Sequence, residues 1–117
     1  MQVRVTTDNN IAGSETLAGQ VEDIVADVLG RFRDRITRVE VYLGDENSRS
    51  KSGDNDKRCT IEARLAGLQP VVVTEQGPIL MQVIRGAADK LEKTLDRTLG
   101  RLDDRKGRRP IGGEPAG

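Results

Sequence analysis

The sequence predicts an α+β domain with the element order βαβββα, in which a four-stranded sheet carries two helices on one face. Four short segments alternate between apolar and polar residues, as strands with one buried face do. Two longer segments instead repeat their apolar residues at helical spacing. Leu, Ile, Val and Phe make up about a quarter of the 117 residues, so the chain can build a folded core.

The chain opens with a predicted strand and helix. Residues 2–6 form the strand, because Val3 and Val5 alternate with polar neighbours. Ser14 is a helix N-cap residue type, so it is placed to begin a helix over residues 14–34. The apolar residues of this segment fall in one angular sector: Leu17, Val21, Ile24, Val25, Val28 and Phe32.

Three strands and a second helix follow. Alternation over residues 38–43 and 59–65 predicts two strands, and the polar, charged segment 44–58 between them predicts a long hairpin loop. The apolar run at 71–74 predicts the last strand. Residues 79–102 predict a second helix, whose buried face comprises Ile84, Ala87, Ala88, Leu91, Leu95, Leu99 and Leu102.

This arrangement predicts one domain over residues 1–102 followed by a disordered basic tail. Residues 103–117 contain too much glycine and charge to pack against a core. With both helices on one face, the other sheet face is expected to lie in water and to carry Arg38, Glu40, Thr60, Glu62 and Arg64.

The composition excludes several function classes. The absence of His removes histidine-based catalysis and histidine-ligated metals, and Tyr42 and Phe32 are too few to stack bases. Cys59 is alone, so it forms no intrachain disulfide and reads as a small core residue. No signal segment or membrane span is evident. We therefore expect a cytoplasmic, non-enzymatic protein with no cofactor, no small-molecule substrate and no membrane partner.

One loop offers a weak candidate for a cation site. Asp54, Asn55 and Asp56 lie in a glycine-containing segment with carboxylate and amide oxygens. The spacing and the terminal glutamate of a calcium loop are missing, so a solvated charged loop is the preferred interpretation and no metal is expected.

The second helix separates its charges onto two flanks. With about 100° per residue, an acidic flank and a basic flank lie on different sides of the buried face. The acidic flank consists of Asp89, Glu92, Asp96 and Asp103, and the basic flank consists of Lys90, Lys93, Arg97 and Arg101. The basic residues Arg105, Lys106, Arg108 and Arg109 follow it, and a further group at the end of the first helix (Arg31, Arg33, Arg35) would extend it if the helices lie side by side.

Two interpretations of the basic flank remain open. It can bind nucleic-acid phosphates, reading backbone shape rather than bases because aromatic residues are scarce. It can also be a solvated helix surface. Asp89 and Lys93 form a favourable i, i+4 pair, whereas Lys93 and Arg97 carry like charges, so helix pairing explains the pattern poorly.

Three segments resemble the ribosome hibernation-promoting factor and ribosome-associated inhibitor family, also called sigma-54 modulation proteins. They are residues 1–6 (MQVRVT), 35–41 (RITRVEV) and 88–95 (ADKLEKTL), within a resemblance that covers residues 1–102 in element order. The resemblance implies the βαβββα fold of double-stranded-RNA-binding domains. It also implies binding to small-subunit rRNA in the tRNA and mRNA channel, with translation inhibited under stress or in stationary phase. No DNA partner is expected. Lys90 and Lys93 match the family's basic positions.

The sequence also supports a hypothesis from another class. The first helix carries Glu22, Asp23 and Asp27, where the resembled family is usually basic, and residues 77–82 replace the segment that commonly opens its second helix. A protein-interaction module that kept the fold but does not bind ribosomes would use this acidic helix or the open sheet face. It would show negligible, salt-insensitive association with RNA.

Overall fold

The computed structural model describes residues 1–8, 11, 13–45 and 56–107, and its elements follow the predicted order. Ser14 caps the first helix, because its Oγ accepts the Leu17 N–H at 3.0 Å. The strands and helices are β1 (Gln2–Thr7), α1 (Glu15–Leu29), β2 (Ile36–Asp45), β3 (Lys57–Leu65), β4 (Val71–Gly77) and α2 (Leu80–Gly107).

The four strands form one mixed sheet in the order β1-β2-β3-β4. β1 runs parallel to β2, so α1 is the crossover between them, and the other two pairings are antiparallel. The register aligns one apolar row across all four strands, with Val5 beside Val41, Val41 beside Ile61 and Ile61 beside Val73. This row forms the floor of the core.

Both helices cover that apolar face, as predicted. Val21 and Val25 of α1 are completely buried. On α2, six of the seven residues predicted for the buried face are buried, namely Ile84, Ala87, Ala88, Leu91, Leu95 and Leu99, whereas Leu102 is half-buried. Cys59 also faces this core and is buried, as the alternation of β3 predicts.

The first helix ends earlier than predicted. Residues 14–34 were expected to be one helix, but α1 stops at Leu29 and a 3-10 turn over Gly30–Phe32 follows. The N–H of Arg33 bonds to the Gly30 carbonyl at 3.1 Å, an i to i+3 contact that tightens the chain. Glycine also lowers helix stability by about 1 kcal/mol relative to alanine, which favours the break here.

The predicted loop and the second helix also have different bounds. Asp45 pairs with Lys57 and Gly44 with Arg58, so both ends of the expected loop 44–58 belong to strands, while residues 46–55 lie outside the described residues. α2 continues five residues beyond residue 102, to a glycine, the residue type that commonly follows a helix end. Residues 103–107 of the tail predicted to be disordered over 103–117 are therefore helical, and its residues 108–117 lie outside the described residues.

The uncovered face of the sheet carries the polar residues predicted for it, but one of them is far less exposed than expected. Glu40 was expected in water but is only 8 % exposed. Its carboxylate accepts a hydrogen bond from the Tyr42 hydroxyl at 3.1 Å and lies 3.0 Å from Arg38 Nε. The hydrogen bond to this carboxylate stabilises the protonated phenol, so it raises the pKa of Tyr42.

Candidate nucleic-acid interface

The packing of α2 directs its two charged flanks toward different neighbours. Buried leucines hold one face of the helix against the sheet and α1. The acidic flank lies on the side of α1, since Glu92 and Asp96 both contact Arg31. The basic flank lies on the side of β4, since Lys90 contacts Glu75. Charges that are separated in the sequence pattern are therefore also separated in space.

Three residues of the basic flank are exposed and form the candidate interface. Within the part of the chain that the structure describes, Lys93, Arg97 and Arg101 have no ion-pair or hydrogen-bond partner. Successive members are four residues apart, so they lie one above another along the helix. We call this set the basic ridge. Its cations need break no contact with the described residues in order to meet an anion.

The helix beneath the basic ridge is anchored in the core by buried leucines. Leu91, Leu95 and Leu99 follow the same four-residue spacing on the opposite side and are at most 3 % exposed. Fully burying a leucine side chain contributes about 1.5–3 kcal/mol. Side chains of the basic ridge that contact phosphates would therefore extend from a helix whose position is fixed by the core.

Lys90 differs from the rest of the basic flank, because protein groups already surround its ammonium. Lys90 Nζ lies 2.9 Å from Glu75 Oε1 and donates to the backbone carbonyl of Thr74 at 2.8 Å. The sequence pattern did not identify this pair, because Glu75 lies on another element. The glycine at position 86 of the helix was the one sequence feature near Lys90 that could have indicated this pair. A Cβ on Gly86, one turn before Lys90, would lie 3.3 Å from the Glu75 side chain, so glycine leaves room for the carboxylate.

Of the three arginines predicted to extend the basic flank, Arg31 instead lies at the acidic flank of α2. Arg31 Nη2 lies 3.2 Å from Asp96 Oδ1, and its Nε lies 3.5 Å from Glu92 Oε2. Its guanidinium also covers the Phe32 ring at 4.4 Å. Arg33 donates from Nε to the Gly30 carbonyl at 3.4 Å, and Arg35 is half-buried where β2 begins.

The remaining predicted residues lie at or beyond the end of α2. Arg105 follows Arg101 by four residues within the helix, and Lys106 comes next. Arg108 and Arg109 lie outside the described residues. A cavity of about 320 Å³ adjoins this end of the ridge, where Arg101 and Thr98 of α2 meet Leu68 and Pro70 from the turn before β4.

The loop considered in the sequence as a cation site is only partly described. Asp56 Oδ2 lies 3.2 Å from Lys57 Nζ, whereas Asp54 and Asn55 lie outside the described residues. Within the described ranges, no group of three acidic, His or Cys side chains is placed to hold a metal ion. Across the same ranges, no helix combines the length and apolar character needed to cross a membrane.

Comparisons with known proteins agree with this architecture. A family model described as "Sigma 54 modulation protein / S30EA ribosomal protein" matches residues 3–103. The fold is similar to the Protein Y N-terminal domain of Thermus thermophilus, with a TM-score of 0.67, 24 % identity, and coverage of 84 % of this chain and 99 % of that one. A ribosomal subunit interface protein from Coxiella burnetii has a TM-score of 0.65 at 16 % identity, with coverage of 86 % and 99 %. No curated protein matches the sequence.

Proposed function

Since the chain belongs to the sigma 54 modulation protein / S30EA ribosomal protein family, we propose that it is a ribosome-associated translation inhibitor. Its partner would be the small ribosomal subunit, in whose tRNA and mRNA channel it binds rRNA under stress or in stationary phase. The observation that carries the proposal is the exposed basic ridge of Lys93, Arg97 and Arg101, whose cations have no partner among the described residues.

The chemistry proposed for the ridge is contact with phosphates. Lysine and arginine cations that meet RNA phosphates release condensed counterions, so binding is strong at low salt and falls as salt rises. Tyr42 and Phe32 are the only aromatic residues of the chain, and Phe32 is buried. Recognition would therefore depend on the shape of the rRNA backbone rather than on stacked bases.

The acidic surfaces would orient the protein on the ribosome. Glu22, Asp23 and Asp27 of α1 are exposed, and the acidic flank of α2 lies toward the same helix. This side of the molecule would be repelled by phosphates, whereas the basic ridge would be attracted. Inhibition would then be steric, since the bound domain occupies space that tRNA and mRNA need. Such inhibition would need no catalytic step, cofactor or small-molecule substrate, and it would take place in the cytoplasm.

A pair of charge reversals on α2 tests this proposal. Arg97→Glu places a carboxylate on the basic ridge. Arg85→Glu makes the same chemical change on the same helix about 120° away around its axis, and Arg85 is exposed and has no partner among the described residues. We expect Arg97→Glu to weaken binding to purified small subunits at least tenfold, and Arg85→Glu to change it less than threefold. Equal effects of the two variants would refute an interface at the ridge.

The second candidate function is a protein-interaction module, which the acidic surface of α1 favours. It would bind a basic protein and would leave purified small subunits unbound even at low salt. In that case Arg97→Glu would not alter partner binding, whereas Asp23→Lys with Asp27→Lys would abolish it. The same two sets of variants therefore separate the two proposals.

A further inference from the structure

The basic flank of α2 contains one cation whose charge the protein itself neutralises. Lys90 precedes Lys93 by three residues and Arg97 by seven, so it lies in line with the basic ridge, about one turn before its first member. The Lys90 ammonium lies 2.9 Å from Glu75 Oε1 and donates to the Thr74 carbonyl at 2.8 Å. A carboxylate of β4 therefore stands directly beside the surface that we propose for RNA.

The position of Glu75 is set by two elements of the fold. Its register partner in β3 is Cys59, whose side chain is buried beneath the helices, so Glu75 also points to the face that the helices cover. On α2, Gly86 leaves room for the carboxylate, because a Cβ there would lie 3.3 Å from Glu75 Oε2. Lys90 follows Gly86 by one turn on the same side of the helix. The pair therefore forms where β4 and α2 pack together, not from the local sequence of either element.

The pair is accessible to solvent but carries no net charge. The side chains of Lys90 and Glu75 are 50 % and 35 % exposed, so a phosphate could approach the ammonium from outside. That phosphate would also approach the carboxylate beside it, and the two anions would repel each other. RNA binding releases counterions in proportion to the phosphates that protein cations neutralise. A lysine that is already neutralised by a carboxylate of its own protein adds little to that number.

Resting on the ribosome-binding function proposed above, we propose that Glu75 excludes Lys90 from the RNA interface and so limits the affinity of this chain for rRNA. Glu75 makes no contact with RNA; it is a positioning residue that cancels the charge of the ammonium it holds. The interface then begins at Lys93. Removal of the carboxylate alone would create a fourth cation in line with Lys93, Arg97 and Arg101. The inference gives Lys90 a different role from the direct RNA contact that the family resemblance implies for it.

Binding to purified small subunits over a salt series tests the inference. The proteins compared are the wild type, Glu75→Gln, Lys90→Gln and Lys90→Gln/Glu75→Gln. Glu75→Gln should bind more tightly than the wild type, and its slope of log K against log salt should be steeper by about one. Its advantage should therefore grow about threefold as the salt concentration falls from about 200 to 50 mM. Lys90→Gln should bind about threefold more weakly than the wild type, because it leaves the carboxylate unpaired beside the basic ridge.

The double variant distinguishes a neutralised Lys90 from one that contacts phosphate. If Lys90 contacts phosphate in the wild-type protein, its removal weakens binding whether or not Glu75 is present. We expect instead that Lys90→Gln/Glu75→Gln stays within about twofold of the wild type at every salt concentration, because it removes two charges that sum to zero.

Glu62→Gln is the matched control for Glu75→Gln. Glu62 is also a strand glutamate beside a cation, with 3.7 Å between its Oε2 and Arg64 Nη2, but it lies on the uncovered face of the sheet. It should change binding less than about twofold. Exposed ion pairs contribute little to stability, so all variants should keep the wild-type circular dichroism.

Two results overturn the inference while leaving ribosome binding intact. One is a Glu75→Gln variant that binds no more tightly than Glu62→Gln. The other is a double variant that binds as weakly as Lys90→Gln alone. A wild-type protein that does not bind small subunits even at low salt would overturn the proposed function together with this inference, so the two failures are distinguishable.

Discussion

Cys59 is expected to make the protein lose stability at alkaline pH. Its thiol is buried in β3 on the face covered by the helices, between Leu43 of β2 and Glu75 of β4. Burial raises the pKa of Cys59 from 9.0 to about 12, and the nearby Glu75 carboxylate adds to the rise. The folded protein therefore keeps the thiol proton over a range in which the unfolded chain has lost it.

The sign and size of the effect follow from proton linkage. Between pH 9 and pH 12 the folded state binds one more proton at this site than the unfolded state, so the free energy of unfolding falls as pH rises. The slope is about 1.4 kcal/mol per pH unit, and the loss between pH 8 and pH 10.5 amounts to about 2 kcal/mol. At pH 7 the thiol is protonated in both states and contributes nothing to the pH dependence.

Urea unfolding of the wild-type protein and of Cys59→Ala, followed by circular dichroism at each pH, measures this loss of unfolding free energy. Tyr42 and Lys57 have raised pKa values in the folded state, and both also weaken stability at high pH. They are present in both proteins, so their effects cancel in the comparison. Cys59→Ala lowers stability by a pH-independent amount and should lose about 2 kcal/mol less between pH 8 and pH 10.5. Parallel curves for the two proteins over that range would refute the reasoning.

Three further predictions concern the fold, and each is measured by urea unfolding at neutral pH. Leu91→Ala should lower the free energy of unfolding by about 2–5 kcal/mol, because Leu91 is completely buried and its loss leaves a cavity; a change below 1 kcal/mol would contradict the packing. Ser14→Ala should cost about 1 kcal/mol by removing the hydrogen bond to the Leu17 N–H, whereas Ser14→Asp should retain most of the stability. Gly77→Ala should lower the free energy of unfolding by about 1–3 kcal/mol, because its Cβ would lie 2.9 Å from Val83 Cγ2. An unchanged free energy of unfolding would show that β4 and α2 can move apart at this contact without cost.

The fold was predictable because each element buries one face. Alternation places Val39 and Val41 against the helices, and the 3.6-residue period does the same for Leu91 and Leu95. These patterns are local, so the sequence displays them directly. The end of α1 could not be predicted from its apolar pattern. The apolar period continues through Phe32, which is buried, while the backbone has already changed to a 3-10 turn.

The candidate site could be predicted only in part, because contacts between elements that are distant in the sequence decide which of its charges are paired. The basic and acidic flanks of α2 followed from helical geometry alone. The partner of Lys90 did not, since Glu75 lies fifteen residues earlier on β4 and meets it only after the helix packs on the sheet. Arg31 was grouped with the basic flank for its charge, yet packing of α1 beside α2 brings it to Glu92. Glu40 was expected in water by alternation, and Arg38 and Tyr42 cover it.

The salt dependence of small-subunit binding tests the central claim most directly. Co-sedimentation of the wild-type protein and of Lys93→Ala/Arg97→Ala/Arg101→Ala with purified small subunits over a salt series gives the slope of log K against log salt for each. If the basic ridge contacts phosphates, the wild-type slope is steep and the triple variant reduces its magnitude by about 2–3, close to one unit for each lost contact. Identical slopes, or wild-type binding that salt does not affect, would contradict the account.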